Sequence, residues 1–341
     1  MRAASITAPG SITVVDHDAP RAAGDLVVVR VLVAPLCTES KDRRAGRLGT
    51  DLGHEAAGVV VDAGTSQLVA VGQRVVVMPQ FACGACWVCR QGDHIHCPNQ
   101  RDVLTESGSA HGTGTIAQYV LKPDWLLLPV PDDIPLEHAA MACCGFGPTF
   151  TAHHRLRTSA LDIVAVSGSG PVGLGAVAQS VLRGARTVVV EAHPFRAALA
   201  RELGADTVID PMLGSVAEEL RNVDGRGPDA GIETSGAPGA AGALVAGIRP
   251  LGRVGIVAWT EAVQLPNLVP LGVEIHGCWH WNHQVHLEEM WRTIRRAHDA
   301  IDLIITHRFA LEDIAVAMDL QDTGACGKVL VHPFGADEVT A

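Results

Sequence analysis

Four cysteines crowd into one short segment, CGACWVCRQGDHIHC, at Cys83, Cys86, Cys89 and Cys97. The short spacers let four thiolates converge on one tetrahedral ion, and four thiolates leave no coordination position open for chemistry. A pair of disulfides or an iron–sulfur cluster is the alternative, but a reducing compartment and the lack of a second cysteine group favour structural zinc. His94 and His96 lie inside the segment, and we expect both to face solvent rather than bind metal.

A glycine-rich turn, IVAVSGSGPVG, follows an apolar run and opens a helical stretch, with glycines at Gly168, Gly170 and Gly173. This context is typical of a dinucleotide fingerprint, in which the pyrophosphate rests on the helix N-terminus. Gly168 would permit the tight turn, Gly170 the close approach of the pyrophosphate, and Gly173 the packing of helix on strand. The alternative is a glycine turn without a ligand.

The strand after this helix, TVVVEA, ends in Glu191, where a carboxylate could bind both hydroxyls of the adenosine ribose. A carboxylate there repels a 2′-phosphate, so NAD is predicted over NADP, although Arg196 could tolerate a phosphate. We expect further cofactor contacts from the turn and from two later strand ends, at Pro171, Val172, Thr234, Val257 and Ala258.

The predicted secondary structure around these motifs changes along the chain. Short Val-rich runs at 25–30, 58–62 and 74–78 lie between Gly, Pro and Asp residues and predict a strand-rich first domain. From Leu161, apolar runs alternate with helical stretches: 163–166, 171–183, 187–190, 194–203, 207–209, 230–232 and 253–258. Such alternation predicts βαβ units on a parallel sheet.

The last part of the chain contains helical stretches at 287–297 and 311–320 and strand-like runs at 304–309 and 328–331. We assign it to the first domain. The predicted division is therefore 1–147 with 283–341 for a β-rich domain, and 148–282 for a doubly wound parallel-sheet domain, giving an α/β fold. No internal repeat or low-complexity segment is visible.

Composition limits the class of partner. A chain of 341 residues that is 48% hydrophobic can bury a full core. Its formal charge of −11 argues against a nucleic-acid partner and favours a small-molecule substrate. No apolar run approaches the roughly 18–20 residues that span a bilayer, and the start lacks a signal-peptide layout, so we expect no membrane partner and a cytoplasmic location.

Taken together, the motifs resemble the zinc-containing medium-chain dehydrogenase family, which includes alcohol, sorbitol and threonine dehydrogenases. The matching segments occur in the family's order along nearly the whole chain: Cys37, GHEAAGVV, the four-cysteine segment, HGTGTIAQYV, ACCGFG, the glycine turn, IETSG, ITHRF and GKVLVHP. The resemblance implies a GroES-like catalytic domain, a Rossmann domain and a catalytic zinc between them, hence two zinc ions per chain.

Carried onto this sequence, the family's catalytic zinc would be bound by Cys37, His54 and Cys144. Two thiolates and one imidazole leave a fourth tetrahedral position for water or substrate oxygen. Cys144 precedes Gly145 as in the family's Cys-Gly-Phe, which favours it over the adjacent Cys143. Glu55 follows His54 as in the family, where this carboxylate lies behind the metal; a buried, salt-bridged acid is the simpler alternative.

The sequence departs from the family at the proton relay. The family usually has Ser or Thr two positions after the catalytic cysteine, but Glu39 stands there, between Thr38 and Ser40. If the register holds, the Glu39 carboxylate lies near the substrate oxygen and accepts its proton directly. The alternative is that the hydroxyl of Thr38 or Ser40 carries the proton.

The segment HGCWHWNHQVH contains His276, His280, His283 and His286 beside two tryptophans. We do not interpret it as a metal site, because in the family this stretch borders the nicotinamide pocket and the subunit contact. Aromatic packing and substrate lining are the expected roles.

The function that the resemblance implies is hydride transfer between NAD(H) and an alcohol or carbonyl of the polyol, cyclitol or secondary-alcohol class, in a homodimer or homotetramer. One alternative is a biosynthetic reductase of an imine, enone or aminocyclitol ketone that uses NADPH. Another is a non-catalytic nucleotide sensor, which predicts one zinc per chain and no turnover.

Overall fold

The computed structural model describes residues 1–335, so the last six residues of the terminal segment assigned to the first domain lie outside it. The strands are β1 (Arg2–Ala8), β2 (Ser11–Asp16), β3 (Leu26–Pro35), β4 (Ala56–Asp62), β5 (Arg74–Val77), β6 (Tyr119–Pro123), β7 (Leu127–Pro129), β8 (Ile163–Ser167), β9 (Arg186–Val190), β10 (Thr207–Ile209), β11 (Ala230–Glu233), β12 (Arg253–Ile256), β13 (Glu274–Gly277), β14 (Ile305–Ala310) and β15 (Lys328–His332).

The helices are α1 (Glu39–Arg44), α2 (Trp87–Arg90), α3 (Val103–Ser107), α4 (Leu136–Ala140), α5 (Gly147–Leu156), α6 (Pro171–Leu182), α7 (Pro194–Glu202), α8 (Val216–Asn222), α9 (Ala240–Gly247), α10 (His283–Arg296), α11 (His298–Ile304) and α12 (Ile314–Thr323). Among residues 1–335, none of the helices combines the length and the apolar character needed to cross a membrane.

A six-stranded sheet has the order β10-β9-β8-β11-β12-β13, and every neighbouring pair is parallel. This is the 3-2-1-4-5-6 order of a doubly wound nucleotide-binding fold, whose strand order reverses between β8 and β11. Ligands bind such sheets at the carboxyl ends of the strands where the order reverses. The predicted Rossmann sheet is confirmed, and its switch point lies beside the glycine turn that follows β8.

The second sheet has the order β14-β15-β3-β4-β5-β7, with β6 also paired to β3. All its pairs are antiparallel except β14 with β15, and β3 is buried along nearly its whole length. The predicted β-rich unit is therefore present. Strands β14 and β15, from the end of the chain, join the sheet formed by the beginning of the chain.

One core cluster continues from the antiparallel sheet through α5 to the parallel sheet. It contains Val33 of β3, Phe146 and Phe150 at the start of α5, and Val164 of β8, all fully buried. Helix α4 packs on β3, β4 and β5 of the antiparallel sheet, and α5 packs on β11, β12 and β13 of the parallel sheet. The segment that joins these two helices therefore lies between the two sheets. That segment carries Cys144.

Candidate active site and cofactor cleft

Four potential metal ligands meet where the two sheets face each other. Cys37 follows β3, His54 and Glu55 immediately precede β4, and Cys144 lies three residues before α5. One ligand atom from each side chain lies within 4.8 Å of every other, and His54 Nε2 is 3.2 Å from Cys144 Sγ. A tetrahedral zinc bound by sulfur and nitrogen separates such atoms by about 3.6 Å, so this donor set fits zinc.

The adjacent cysteines point in different directions. Cys144 Sγ faces His54, whereas Cys143 is completely buried and its thiol donates a hydrogen bond to the Val77 carbonyl oxygen at 3.3 Å. Burial raises the pKa of the Cys143 thiol far above its usual range. Cys144 is therefore the cysteine that the structure brings to the ligand group.

A buried ion pair lies behind this group. Lys328 Nζ donates to Glu55 Oε1 at 2.8 Å, and neither side chain is exposed. Glu55 Oε2 accepts the Cys144 N–H at 3.2 Å, while Oε1 lies 3.9 Å from His54 Nε2. Burial raises the pKa of Glu55 to about 7, and the Lys328 charge opposes this rise. Lys328 was not predicted as a site residue, and its only signal in the sequence is its place at the start of the strand KVLVH.

Glu39 lies in a different place from the one predicted. Its side chain is buried: Oε1 is 3.0 Å from His54 Nδ1, and Oε2 accepts the Cys37 N–H at 2.7 Å. This carboxylate contacts Nδ1, the ring nitrogen of His54 that points away from the ligand group. It therefore fixes the tautomer that carries the proton on Nδ1 and presents Nε2 to a metal. The exposed Thr38, by contrast, lines the cleft beside Cys37 and His54, while Ser40 is buried.

The cleft in front of the ligand group has a volume of about 380 Å³. His280 forms part of its floor, is buried, and places Nε2 3.4 Å from Cys144 Sγ. Burial, and secondarily the His54 charge, lower the pKa of His280 to about 3, so the ring is neutral. Trp259 and Trp279 form one wall, with ring centroids 5.4 Å apart.

A second cavity of about 480 Å³ lies beside the glycine turn. Gly168 has φ +83°, which favours glycine, and a Cβ on Gly173 would lie only 2.0 Å from the Gly168 carbonyl oxygen. A Cβ on Gly170 would lie no nearer than 3.8 Å to another side chain, the guanidinium of Arg196, so this side of the turn is open. This geometry is compatible with the roles that the fingerprint predicts for the three glycines.

The predicted cofactor residues are distributed between the two cavities. Glu191 and Arg196 line the cavity beside the glycine turn, Val172, Val257 and Ala258 line the cleft, and Thr234 lines both. The Glu191 carboxylate is held by N–H donors from Ser169 at 2.7 Å and His193 at 2.8 Å. Pro171 is the first residue of α6 rather than part of either lining. Because Thr234 and Ser235 line both, the cavities meet there.

The four-cysteine segment forms a separate metal-binding group. Its sulfur atoms lie 3.5–3.9 Å apart in four of the pairs, close to the roughly 3.8 Å between thiolates on one tetrahedral zinc. All nine cysteines, each of which the structure describes, are free thiols, so the disulfide alternative is not adopted.

Of the two histidines inside that segment, one lies in a different environment from the one predicted. His96 is exposed as expected, but His94 is buried, with its ring centroid 4.5 Å from that of Trp125 and 4.7 Å from that of His283. The expectation that His94 faces solvent was wrong, because His283 at the start of α10 covers it. His283 is also buried, and burial lowers its pKa to about 4.

Comparison with known proteins identifies the family. The family model "Alcohol dehydrogenase GroES-like domain" matches residues 22–132, and "Zinc-binding dehydrogenase" matches residues 171–296. An L-threonine 3-dehydrogenase of Pyrococcus horikoshii is 30% identical over 95% of this chain and 96% of its own length. A sorbitol dehydrogenase of Bacillus subtilis is 29% identical over 91% of this chain and 90% of its own length.

Among solved structures, an alcohol dehydrogenase zinc-binding domain protein from Burkholderia ambifaria superimposes with a TM-score of 0.84. It is 27% identical, and the match covers 97% of this chain and 98% of that one. The chain therefore belongs to the zinc-binding alcohol dehydrogenase family. It is an oxidoreductase of the medium-chain class that acts on a small molecule.

Proposed function

We propose that this protein transfers hydride between NAD(H) and a secondary alcohol or its ketone, with a small polyol or cyclitol as the substrate class. The observation that carries the proposal is the junction at Thr234 and Ser235, two residues that line both the cavity beside the glycine turn and the cleft that contains the metal ligands. A dinucleotide that extends through this junction would bring its nicotinamide beside a substrate in the cleft. The related sorbitol and L-threonine dehydrogenases are named for substrates that carry secondary alcohols.

Cys37, His54 and Cys144 would hold the catalytic zinc, with Glu55 close enough to approach it. A zinc ion bound there supplies Lewis-acid polarisation of the substrate oxygen, and NAD supplies the hydride acceptor. Cys83, Cys86, Cys89 and Cys97 would hold a second, structural zinc that takes no part in the reaction.

The residues around the catalytic ligands divide into two roles. Glu39 orients His54 through Nδ1 and is a positioning residue, because its two oxygens are occupied by His54 and the Cys37 N–H. Thr38 lines the cleft, and its hydroxyl would carry the substrate proton toward solvent. A hydroxyl therefore remains available for a relay, which favours an ordinary alcohol dehydrogenase over the specialised reductase.

Glu191 supports NAD as the cofactor. Its carboxylate lines the cavity beside the turn, where it would accept hydrogen bonds from the ribose hydroxyls and repel a 2′-phosphate. Arg196 lines the same cavity and lies beside Gly170, close to the expected position of the pyrophosphate. We propose that Arg196 neutralises the pyrophosphate rather than selects NADP.

We further propose the domain division 1–147 with 283–341 and 148–282, a cytoplasmic location, and a homodimer or homotetramer. The pairing of β15 with β3, and of β14 with β15, supports returning the end of the chain to the first domain. Light scattering would distinguish a dimer from a tetramer, and a monomer would contradict the proposed assembly.

The proposed function is tested by measuring NADH formation with a panel of polyols, cyclitols and simple secondary alcohols, each supplied with NAD or with NADP. We expect turnover with at least one polyol or cyclitol and a preference for NAD. Turnover confined to carbonyl or imine reduction with NADPH would favour the specialised reductase. Nucleotide binding without turnover, with one zinc per chain, would favour the sensor.

A further inference from the structure

A third group of metal-binding side chains lies outside both cysteine-containing groups. His154 of α5 faces His286 and Glu289 of α10, and one ligand atom from each lies within 4.8 Å of the others. His154 Nε2 is 3.0 Å from Glu289 Oε1, and His286 Nδ1 is 3.3 Å from Glu289 Oε2. Each side chain is about one-third exposed, but the Nε2 atom of His154 is itself buried and has no hydrogen-bond partner.

The chemistry and spacing of this group match a zinc site. Two imidazoles and one carboxylate form a common set of three protein ligands, and three such ligands leave a position for water. In a tetrahedral site, nitrogen and oxygen ligands of one zinc lie about 3.3 Å apart. The two nitrogen–oxygen separations, 3.0 Å and 3.3 Å, are close to that value, and each histidine contacts a different oxygen of Glu289.

The packing around the group holds the ligands in place. The rings of His154 and His286 lie with centroids 4.7 Å apart, and Phe150 packs against both, at 4.5 Å and 6.0 Å. The backbone of His286 departs from helical geometry, with φ −111° and ψ 15°, so the 3.3 Å contact itself, and not helical spacing, shows that His286 and Glu289 are neighbours. Less side-chain entropy is therefore lost on metal binding than at a site on mobile side chains.

The charges near the group are of both signs. Burial lowers the pKa of His154, so its ring is neutral and can offer a lone pair at neutral pH. Arg183 acts on His154, and Arg183, Arg292, Arg295 and Arg296 line one cavity together with Glu289. The Glu289 carboxylate is the negative charge of the group, and it would have to offset both these arginines and a bound cation.

We propose that His154, His286 and Glu289 bind a divalent transition-metal ion such as Zn²⁺, which clamps α5 to α10. The two helices begin three residues after Cys144 and three residues after His280, the neighbouring side chains of the cleft floor. A clamp between these helices would stabilise the segments that shape the cleft. The proposal concerns a structural or regulatory site and does not depend on the substrate or the cofactor.

The test uses the full chain, purified with its cysteine-bound zinc and then dialysed against micromolar ZnCl₂. Elemental analysis should give three zinc ions per wild-type chain and two in His286→Ala and Glu289→Gln. His298→Ala, which removes an exposed histidine at the start of α11, is the matched control and should keep three.

Thermal unfolding gives an independent readout, because an ion that binds only the folded state raises the melting temperature. ZnCl₂ should raise the melting temperature of the wild-type and His298→Ala proteins more than that of the two ligand variants. Two zinc ions in every protein would overturn the proposal. A third ion retained equally by His286→Ala and Glu289→Gln would also overturn it, because that ion would bind elsewhere.

Discussion

Replacement of Glu39 by Gln distinguishes between two roles of this residue, the positioning of His54 and the direct acceptance of the substrate proton. In the wild type, two N–H donors converge on one carboxylate, from His54 Nδ1 at 3.0 Å and the Cys37 amide at 2.7 Å. Glutamine has a single acceptor oxygen, so its NH₂ group must face one of these donors. The variant therefore loses one of two charge-assisted hydrogen bonds at a buried position and places two donors against each other.

The expected magnitude follows from the position of Glu39 behind a metal ligand. Loss of such a contact typically weakens metal affinity by about 10- to 100-fold. This factor corresponds to about 1.4–2.7 kcal/mol. Because the Cys83–Cys97 group does not contact Glu39, the weakening should affect one zinc ion per chain only.

The assay combines chelator competition, followed by elemental analysis, with turnover measured against pH at low and saturating zinc. Glu39→Gln should lose its catalytic zinc at a lower chelator concentration, and added zinc should restore much of its turnover. Both limbs of its pH–rate profile should remain. Glu39→Asp keeps the charge and should be intermediate in zinc affinity.

Thr38→Ala provides the contrasting variant, because it alters the cleft without touching His54. It should keep zinc and lose turnover by about 10²- to 10⁴-fold, the usual contribution of positioned proton transfer. The reasoning would be refuted if Glu39→Gln bound zinc normally but lost one limb of the pH–rate profile. Glu39 would then be the proton acceptor.

Three further predictions concern stability and cofactor choice. Cys97→Ser should lose one zinc per chain by elemental analysis and unfold at a lower temperature, since its thiolate completes a four-cysteine group. Glu191→Ser should weaken NAD binding by about 1–3 kcal/mol in titration calorimetry and reduce the difference in affinity between NAD and NADP. Tighter binding of NADP than of NAD by the wild type would contradict this prediction. Burial opposes ionisation of Glu137, but hydrogen bonds from His332 and Arg308 lower its pKa to about 2. Since this pKa is below its unfolded value near 4.5, the stabilisation is complete above about pH 4.5 and is lost as the pH falls toward 2. Glu137→Gln should therefore destabilise the protein by about 1–2 kcal/mol at pH 7, a value that allows for solvent screening at the half-exposed Arg308. The destabilisation should be smaller at pH 3, and urea unfolding at both pH values measures it.

The parallel sheet could be predicted because local patterns determine it. The apolar run 207–209 matches β10, and the helical stretch 171–183 differs from α6 by one residue. Helices α8, α9 and α11 were not predicted. α9, AAGALVAG, has no polar face, so its periodicity does not distinguish a helix from other buried structure.

The candidate site could be predicted only as far as its ligands lie in recognisable motifs. The direction of the Glu39 side chain depends on His54, which lies 15 positions later, and no local pattern contains that contact. Lys328 meets Glu55 across 273 positions, and His154 meets His286 only when α5 packs on α10. The sequence contains these residues, but their partners are determined by tertiary packing.

We propose that a zinc ion bound by Cys37, His54 and Cys144 is required for hydride transfer to NAD. The most direct measurement is NADH formation from an accepted alcohol by protein that retains its structural zinc, before and after chelation of the catalytic ion and again after zinc is restored. We predict turnover with two zinc ions per chain, none with only the structural ion, and recovery on reloading. Undiminished turnover by protein shown to hold only the structural zinc would contradict the account.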